Sequence, residues 1–382
     1  MIHYFFYPLF LIIYSTLNKN YLNFDIDKIE IIDYPFISFI IPVHNEEKII
    51  KKKILNLYSL NYPKDKIEII VVNDCSSDNS VNIIQDLMKE FKNIKLVDMK
   101  NRQGKVNAQN EGVRYSKGEY LIFTDADVLL DKNSIINLLK GIKFYNVSCA
   151  AGHFVYINQL ESSTSFYESL YQKLENKIKE LESKFYSLTA LSGSLYAIKR
   201  DDYIFLDSMF SHDIAMPIYL ASKNKKTVFI KESVAFGKSG NKTEEEWKRK
   251  IRMFSRIYYF IFKNFKLIVN PLNFNIKFYF SFFSHRLIRY KLPLLHIILF
   301  ISLIFLKKMN NFFEIIYLLH IIFLIFSLLG LFSNKIKFLK TFYIFYYYLI
   351  FLLSMIVGFL RFVLGKTKPY WEVVQNTRNI NE

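Results

Sequence analysis

The sequence is poor in cysteine and lacks repeats and nucleic-acid-binding motifs. Its 382 residues include two cysteines, Cys75 and Cys149, whose separation matches no metal-ligand spacing and argues against a disulfide framework. No helix-turn-helix, zinc-finger or ribonucleoprotein pattern is present, so we expect no nucleic acid partner. Internal repeats and low-complexity linkers are missing as well. The length allows one large domain or two smaller ones.

The composition is apolar and basic. Apolar residues make up 52% of the chain and aromatic residues 18%, which is too hydrophobic for a disordered protein. The formal net charge is +17. This charge reflects either a coding bias towards Lys, Asn, Ile and Phe, or an anionic partner such as a membrane surface or a phosphorylated ligand.

The N-terminal stretch "MIHYFFYPLFLIIYSTL" is apolar but has neither the basic start nor the small-residue cleavage site of a signal peptide. It is slightly short for a full span. We interpret residues 1–20 as a membrane anchor, with a buried or interfacial helix as the alternative. Lys19 and Lys28 follow it, which favours a cytosolic location for the next segment.

Between residues 34 and 145 strand-like and helix-like segments alternate. Continuous apolar strands are predicted at 36–43, 66–74, 93–99 and 119–125, and helices at 45–60, 77–91 and 104–116, with Asn45 as the first N-cap. The alternation predicts an α/β domain with a mostly parallel sheet and helices on both of its faces. Ligands of such sheets bind outside the carboxyl ends of the strands. The polar residues predicted at those ends are His44, Asn45, Glu46, Asn73, Asp74, Asp125 and Asp127.

Asp125 and Asp127 form a D-x-D pair in the segment "FTDADVLLD". Two carboxylates at the end of a central strand suit Mg²⁺ or Mn²⁺, which prefer oxygen ligands and share them with substrate phosphates. Asp-rich turns are common, however, so the pair alone is weak evidence. Asp131 is interpreted as the N-cap of the helix that follows.

From residue 146 to 265 the predicted strands are shorter and the helices longer. One helix, at 168–185, carries the apolar stripe Leu174, Ile178, Leu181 and Phe185. A second begins at "KTEEEWKRKIRMFSR", with Thr243 and Glu246 as a predicted capping box. Its apolar stripe is Trp247, Ile251, Phe254 and Tyr258, and its opposite face carries Arg249, Arg252 and Arg256. These arginines suit either a diphosphate or anionic lipid.

The last hundred residues are typical of a membrane protein. Residues 266–291 alternate aromatic and basic residues, which predicts an interfacial helix. Apolar runs at 292–306, 312–332 and 341–364 predict transmembrane helices over 292–365, followed by a tail at 366–382. The basic residues Arg286, Arg289 and Lys291 precede the first run. They place the preceding domain on the cytoplasmic face of a multi-pass cell-membrane protein.

Four segments at successive strand ends carry a family resemblance. They are "SFIIPVHNEEKII", "IIVVNDCSSDNS", "NRQGKVNAQNEG" and "GEYLIFTDADVLL". Together and in this order they resemble the family 2 glycosyltransferases, which have the GT-A fold. The resemblance implies a GT-A domain at 34–265, with a nucleotide-sugar half at 34–145 and an acceptor half at 146–265.

The resemblance also implies roles for residues of the nucleotide-sugar half. Glu46, Asp74 and Lys105 would contact the base and ribose of the donor, and Asp125 and Asp127 would hold Mg²⁺ or Mn²⁺ on its diphosphate. Each residue has a simpler interpretation when taken alone. Asp74 could cap a helix, Glu46 could complement a helix dipole, and Lys105 could be a solvated charge.

In the acceptor half, "SHDIAMP" occupies the place of the family's acidic pair. Asp213 aligns with the general base, whereas His212 replaces the first acid and either shares that role or packs near a helix start. The segment "RKIRM" stands where polysaccharide synthases have Q-x-x-R-W, with Arg249 at the Gln and Met253 at the Trp. Arg252 matches the family's arginine and would bind the diphosphate, but the loss of the Trp argues against a processive synthase. The ending "GKTKPYWEVVQNTR" resembles the family's common ending, a Trp followed later by an Arg.

The sequence therefore predicts a membrane-bound, metal-dependent, inverting glycosyltransferase. It would move a sugar from a nucleotide-sugar donor to a polysaccharide or lipid-linked saccharide, in contact with membrane lipids. Three alternatives remain open: a polyprenyl-phosphate glycosyltransferase, a catalytically inert partner of a synthase, and a nucleotidyltransferase.

Overall fold

The computed structural model describes residues 5–18, 28–31, 33–332, 337–370 and 375–378. Within them one mixed sheet has the strand order β3-β2-β1-β4-β7-β6-β8-β5. Its strands are β1 Ile37–Val43, β2 Ile67–Asn73, β3 Ile94–Asp98, β4 Tyr120–Thr124, β5 Leu129–Leu130, β6 Cys149–Tyr156, β7 Leu195–Lys199 and β8 Thr227–Gly237.

Helices cover both faces of the sheet and then continue into the apolar C-terminal region. Those that pack around the sheet are α1 Tyr7–Leu17, α2 Ile50–Tyr58, α3 Ser80–Glu90, α4 Lys105–Tyr115, α5 Ser134–Tyr145, α6 Ser163–Phe185, α7 His212–Ser222 and α8 Thr243–Lys263. Those that follow are α9 Phe265–Val269, α10 Ile276–Ser281, α11 Ile288–Tyr290, α12 Leu292–Leu306, α13 Asn311–Leu331 and α14 Tyr343–Val363.

The predicted α/β fold is confirmed, with a mixed sheet in which four of the described strand pairs are parallel and three are antiparallel. β1 pairs in parallel with β2 on one side and β4 on the other, and every residue of β1 is buried. Strands buried on both faces require apolar runs without alternation, which is why the sequence displays them. β7 runs antiparallel to β4, with Leu195 opposite Thr124, so the loop before β7 reaches the edge where β4 ends.

Two predicted helix starts are wrong. Asn45 does not cap a helix that begins at once. Its backbone is left-handed (φ 56°), its side chain accepts a hydrogen bond from Ser77 N at 2.8 Å, and α2 begins only at Ile50. An asparagine tolerates this conformation because its short amide bonds locally. Asp131 accepts from Asn133 N at 2.9 Å, but Asn133 is the N-cap of α5.

The apolar stripe of α6 packs against the N-terminal helix. Ile178, Leu181 and Phe185 are buried with Tyr7 and Leu11 of α1, whereas Leu174 is exposed. At about 1.5 Å per residue the 11 residues of α1 extend about 16 Å, well short of the ~30 Å hydrocarbon layer. The membrane anchor at residues 1–20 remains a prediction, and residues 1–4 and 19–20 lie outside the described residues.

Among the residues that the structure describes, two helices, α13 and α14, are long and apolar enough to cross a membrane, and a third candidate is bent. The bent candidate joins the run Ile276–Tyr290 to α12 at an angle of 62°. The prediction of one interfacial helix over 266–291 is wrong, because the chain is extended at Asn270, a residue that precedes proline. Asn270 and Asn275 each cap a new helical segment with their side chains.

Helix α8 lies between the sheet domain and α14. Ile251, Phe254 and Tyr258 are buried as predicted, and a Cβ on Gly358 of α14 would lie 2.7 Å from Phe254 Cβ. The predicted Thr243–Glu246 capping box is wrong, since Lys242 is the N-cap and makes no side-chain cap bond. Glu246 instead accepts a hydrogen bond from Gly240 N at 3.2 Å.

Candidate active site

A cavity of about 410 Å³ opens at the carboxyl edge of β1 and β4. We call it the cleft. Its walls come from the turn after β4, the start of α4, the loop before β7, the start of α7, helix α8 and the C-terminal tail. The sequence-predicted residues among them are Glu46, Lys105, Asp125, Asp127, His212, Asp213, Arg249 and Arg252. Elements far apart in the sequence meet here because parallel strands all end at one edge of the sheet.

Asp125 follows the last residue of β4 and faces the first residue of α4. Its Oδ1 lies 2.5 Å from Lys105 Nζ, which also donates a longer hydrogen bond of 3.4 Å to Gly193 O. Burial raises the pKa of Asp125, and Lys105 counteracts part of this effect. Lys105 is thus an ion-pair partner of the D-x-D turn, which is a position the sequence did not predict for it.

A buried lysine also supports the D-x-D turn. Lys53 of α2 is fully buried and donates hydrogen bonds to Thr124 Oγ1 at 2.8 Å and to Val128 O at 2.6 Å. The two acceptors stand on either side of Asp125 and Asp127, so the amine holds both ends of the turn. No sequence pattern indicated a role for this residue, since it lies within a segment predicted only as the helix 45–60.

Replacing Lys53 with methionine is expected to loosen the D-x-D turn without unfolding the domain. Methionine has a similar volume but cannot donate to Thr124 or Val128. Supporting residues one step removed from a metal or substrate typically cost about 10–100-fold in activity or metal affinity. We therefore expect a loss of that size in turnover and a rise in the Mn²⁺ concentration for half-maximal activity, measured by nucleotide release. Lys52→Met, on the same helix, is the control and should change neither value.

The same variant has a pH signature. Burial lowers the pKa of Lys53 to about 7, from about 10.5 in an exposed lysine. Between these values the unfolded chain binds a proton that the folded chain does not, so wild-type stability gains from this residue as pH rises from about 7 towards 10.5. Lys53→Met should lack this gain when thermal unfolding of both proteins is compared at pH 7 and pH 9. An identical difference at the two pH values would contradict the assignment.

Glu46 and Asp127 are joined by an arginine from the C-terminal tail. Arg378 donates to both carboxylate oxygens of Glu46, through Nε at 2.7 Å and through Nη2, and its Nη1 lies 2.8 Å from Asp127 Oδ2. Burial raises the pKa of Glu46 to about 7, against the effect of Arg378. Arg378 was not among the site residues predicted from the sequence. Its only signal was the Trp–Arg ending, and Trp371 lies outside the described residues.

The residues of the C-terminal tail that precede Arg378 contact the nucleotide-sugar half. Gly104 has φ 92°, and a Cβ there would lie 2.4 Å from Pro369 O, so only glycine allows this contact. The Arg102 guanidinium lies 5.4 Å from the Tyr370 ring centroid. Residues predicted only as a tail therefore form part of the cleft.

Asp74 binds the backbone of the loop before α4. It is fully buried, and its two oxygens accept hydrogen bonds from the backbone of the loop before α4, at 2.6 Å from Gln103 N and 2.9 Å from Gly104 N. Asp74 thus fixes the loop that positions Lys105. The contact with base or ribose that the resemblance implies stays a prediction.

Asp213 lies in the first turn of α7 and lines the cleft. Its Oδ1 accepts a hydrogen bond of 2.6 Å from Ser211 Oγ. Burial opposes ionisation, but the hydrogen bond from the Ser211 hydroxyl and the charges of Lys105 and Lys179 hold the pKa of Asp213 below its ordinary value. The side chain is accordingly a carboxylate at neutral pH and can accept a proton.

His212 is a poor candidate for proton transfer. Its ring is buried and stacks on Tyr196, with ring centroids 5.9 Å apart. Burial and the charge of Lys105 lower the pKa of His212 to about 3, so the imidazole is neutral and only weakly basic. The geometry favours the packing alternative over the shared general-base role.

The three arginines of α8 do not share one environment. Arg249 forms ion pairs with Glu246 at 2.7 Å and with Glu168 at 2.5 Å. Arg252 lines the cleft, and its side chain is partly exposed. Arg256 is buried and donates to the carbonyls of Ser208, Met209 and Phe210, in the loop before α7. The guanidinium of Arg256 therefore holds the loop before α7 in place. Its contact with a diphosphate or with anionic lipid stays a prediction.

The D-x-D carboxylates suit a hard divalent cation. Asp127 keeps 24% of its side chain exposed towards the cleft, and both aspartates present the oxygen ligands that Mg²⁺ and Mn²⁺ prefer. In the described part of the chain, no three His, Cys, Asp or Glu side chains converge as a metal site. A cation here would therefore be shared with oxygens of the substrate, as magnesium sites commonly are.

Residues 38–205 match the family model "Glycosyl transferase family 2". A poly-beta-1,6-N-acetyl-D-glucosamine synthase of Staphylococcus epidermidis is 33% identical over 153 residues, which are 36% of this chain and 35% of that protein. The probable glycosyltransferase YdaM of Bacillus subtilis is 37% identical over 113 residues, 29% of this chain and 27% of that protein. The aligned region thus spans about a third of the length of these curated relatives.

One solved structure is similar over almost the whole chain. It is a mannosyltransferase from Pyrobaculum calidifontis in complex with GDP-Man and Mn²⁺, with a TM-score of 0.67 and 19% identity. The alignment covers 95% of this chain and 96% of that one. At this identity the similarity establishes a shared fold, including the apolar C-terminal region.

Proposed function

We propose that this chain, whose residues 38–205 are a family 2 glycosyltransferase domain, is a membrane-associated inverting glycosyltransferase. Its donor would be a nucleotide sugar, and its acceptor a saccharide or lipid-linked saccharide. The observation that carries the proposal is one cleft that contains the Asp125–Asp127 turn, the carboxylate of Asp213 and a set of buried cationic side chains. These are the groups needed to stabilise a leaving diphosphate and to deprotonate an attacking hydroxyl.

The donor would lie along the rim of the cleft. Mg²⁺ or Mn²⁺ held by Asp127 with Asp125 would neutralise charge on the diphosphate as it leaves. Arg378, Lys105 and Arg252 supply fixed positive charge beside that turn. Such charges, oriented before the reaction, stabilise developing negative charge without reorganisation.

The transfer would be a single displacement. An acceptor hydroxyl oxygen attacks the anomeric carbon while Asp213 takes its proton. The bond from that carbon to the diphosphate oxygen breaks, and its electron pair leaves with the nucleoside diphosphate. Attack from the face opposite the leaving group inverts the anomeric configuration. Ser211 would orient the accepting carboxylate through its 2.6 Å hydrogen bond.

The membrane assignment is also part of the proposal. Helices α13 and α14, with the bent third candidate, would anchor the chain, and the cleft would face the cytoplasm, where nucleotide sugars are made. Basic residues before α12 favour this side. An acceptor that remains at the membrane could then reach Asp213 from the side of α14.

A donor screen tests the proposal. Purified protein in detergent micelles is incubated with Mn²⁺ and a panel of nucleotide sugars, and released nucleotide is identified. We expect release of a nucleoside diphosphate from at least one donor, increased by the correct acceptor and abolished by chelation. In a parallel assay with nucleoside triphosphates and sugar 1-phosphates, release of pyrophosphate would identify a nucleotidyltransferase instead. No turnover of any donor by folded, metal-loaded protein would support an inert partner of a synthase.

A further inference from the structure

A cluster of buried charged side chains adjoins the cleft, and we call it the inner end. Its carboxylates are Glu175 and Glu182 of α6, and its basic side chains are Lys179, Arg286 and Arg289. His285 lies beside them, with Nδ1 2.7 Å from Glu182 Oε1. All of these side chains are at least nine-tenths buried. Unpaired buried charge is costly, so buried cationic groups without a protein partner call for an anion.

The two arginines are only partly satisfied by the protein. Arg289 Nη1 donates to Glu175 Oε1 at 2.6 Å, and Arg286 Nη1 donates to Glu175 Oε2 at 3.2 Å. Arg286 Nη2 and Arg289 Nε are buried and have no hydrogen-bond partner in the described part of the chain. Both residues line the cleft. Two donor groups of neighbouring guanidinium ions are therefore left for a ligand.

Lys179 adds an unpaired ammonium group. It is 5% exposed, lines the cleft and makes neither a hydrogen bond nor an ion pair with any residue that the structure describes. It stands one helical turn after Glu175, on the same face of α6. Burial lowers the pKa of Lys179 to about 8, and Glu175 and Asp213 oppose that shift, so Asp213 lies within electrostatic range. The cationic end is thus continuous with the candidate general base.

The surroundings of Arg286 and Arg289 indicate that their ligand is an amphiphile, with an anionic group and an apolar chain. Arg286 and Arg289 belong to the helical run 276–290, which leads directly into the apolar α12, and the Arg289 guanidinium lies 5.3 Å from the ring centroid of Phe351 on α14. Both helices belong to the membrane-spanning candidates. A ligand whose anionic group reaches this point can leave an apolar chain along the membrane segment. A soluble nucleotide has no apolar group to place there.

We infer that Lys179, Arg286 and Arg289 form an anion subsite that binds the phosphate of a lipid-linked acceptor. This inference rests on the proposed function and specifies its acceptor. The lipid phosphate occupies the inner end of the cleft, and the acceptor group attached to it extends towards Asp213. The donor diphosphate occupies the other end, at Asp127 and Arg378. Opposite ends of one cleft thus bind the two anionic substrates.

The test is a binding measurement with purified full-length protein in nanodiscs of neutral lipid. The probes are a polyprenyl phosphate, the uncharged polyprenol of the same length, inorganic phosphate, and a nucleoside diphosphate with Mn²⁺. We expect the polyprenyl phosphate to bind at least ten-fold more tightly than either the polyprenol or inorganic phosphate. Lys179→Met should weaken that binding by about ten-fold or more, as the loss of a charged hydrogen-bonding group does.

Controls separate this role from a structural one. Lys179→Met removes a buried charge without a partner, so the variant should fold and melt no lower than wild type. Lys179→Arg should retain binding, and Lys173→Met, on the exposed face of the same helix, should leave it unchanged. Unchanged lipid-phosphate binding in Lys179→Met would overturn the inference. So would a loss of nucleotide binding instead of lipid binding in that variant.

The measurement of lipid-phosphate binding does not depend on sugar transfer. If the donor screen fails while Lys179 still controls lipid-phosphate binding, the proposed enzymatic function is wrong and the subsite stands. If turnover occurs but the polyprenyl phosphate binds no better than the polyprenol, the subsite is wrong and the enzyme stands.

Discussion

Replacing Asp127 with asparagine is expected to reduce the rate of nucleoside diphosphate release by about 1000-fold or more. The amide keeps the shape of the side chain and can still bond Arg378, but it removes the negative charge that a divalent cation needs. Loss of metal-assisted charge stabilisation costs several kcal/mol in the transition state, and about 4 kcal/mol corresponds to this factor. The measurement is nucleotide release at increasing Mn²⁺ concentrations, in wild type and variant.

Asp131→Asn is the matched control for this experiment. Asp131 lies four residues further along the same segment, and its side chain bonds the backbone at Asn133 rather than lining the cleft. Its substitution should leave the metal dependence unchanged. Near-normal turnover in Asp127→Asn at low Mn²⁺ would rule out the metal assignment, provided that circular dichroism shows both variants to be folded.

The second large effect is expected at Asp213. Asp213→Asn should slow sugar transfer by about 10²–10⁴-fold, which is the usual contribution of a positioned general base. The asparagine can still accept the hydrogen bond from Ser211 Oγ, so the start of α7 should keep its geometry. Because the proposed role of Asp213 is to accept the proton of the acceptor and not to bind the donor, the affinity for donor and metal should change little.

Two comparisons make this prediction specific. Asp207→Asn, in the same loop but paired with Lys263 at 2.6 Å on the outer side, should transfer sugar at close to the wild-type rate. His212→Gln should also retain much more activity than Asp213→Asn, since the imidazole is a weak base. Full activity of Asp213→Asn with a lipid phosphate as acceptor would show that the attacking oxygen is already anionic and needs no base.

The nucleotide-sugar half was the part of the fold most open to prediction. Its strands are buried on both faces, so apolar runs such as "FISFIIPV" mark β1 within one residue at its start. Helix starts were less accurate, as Asn45 and Asp131 show. The energy of a cap depends on a few local hydrogen bonds that neighbouring loops redirect, here Ser77 and Asn133.

The location of the cleft could also be predicted, but not its internal pairing. Glu46, Asp125 and Asp127 were expected at strand ends and lie there. Arg378, which bonds Glu46, is 332 residues away along the chain, and no local pattern encodes such a contact. The burial of Lys179 could not be predicted for a similar reason. The periodicity of α6 marked its apolar face, whereas only the packing of the run 276–290 against α6 shows that its charged side chains are buried.

The sequence by itself determined the alternation of strands and helices, the apolar C-terminal segments and the carboxylates at the sheet edge, because each follows from burial and backbone preferences within a few residues. The tertiary structure alone decided which charges meet. It paired Lys105 with Asp125, turned Asp74 towards a loop, brought Arg378 to the D-x-D rim and left Lys179 unpaired. Electrostatic partners depend on distances of a few ångströms between distant segments, and only the folded chain fixes those distances.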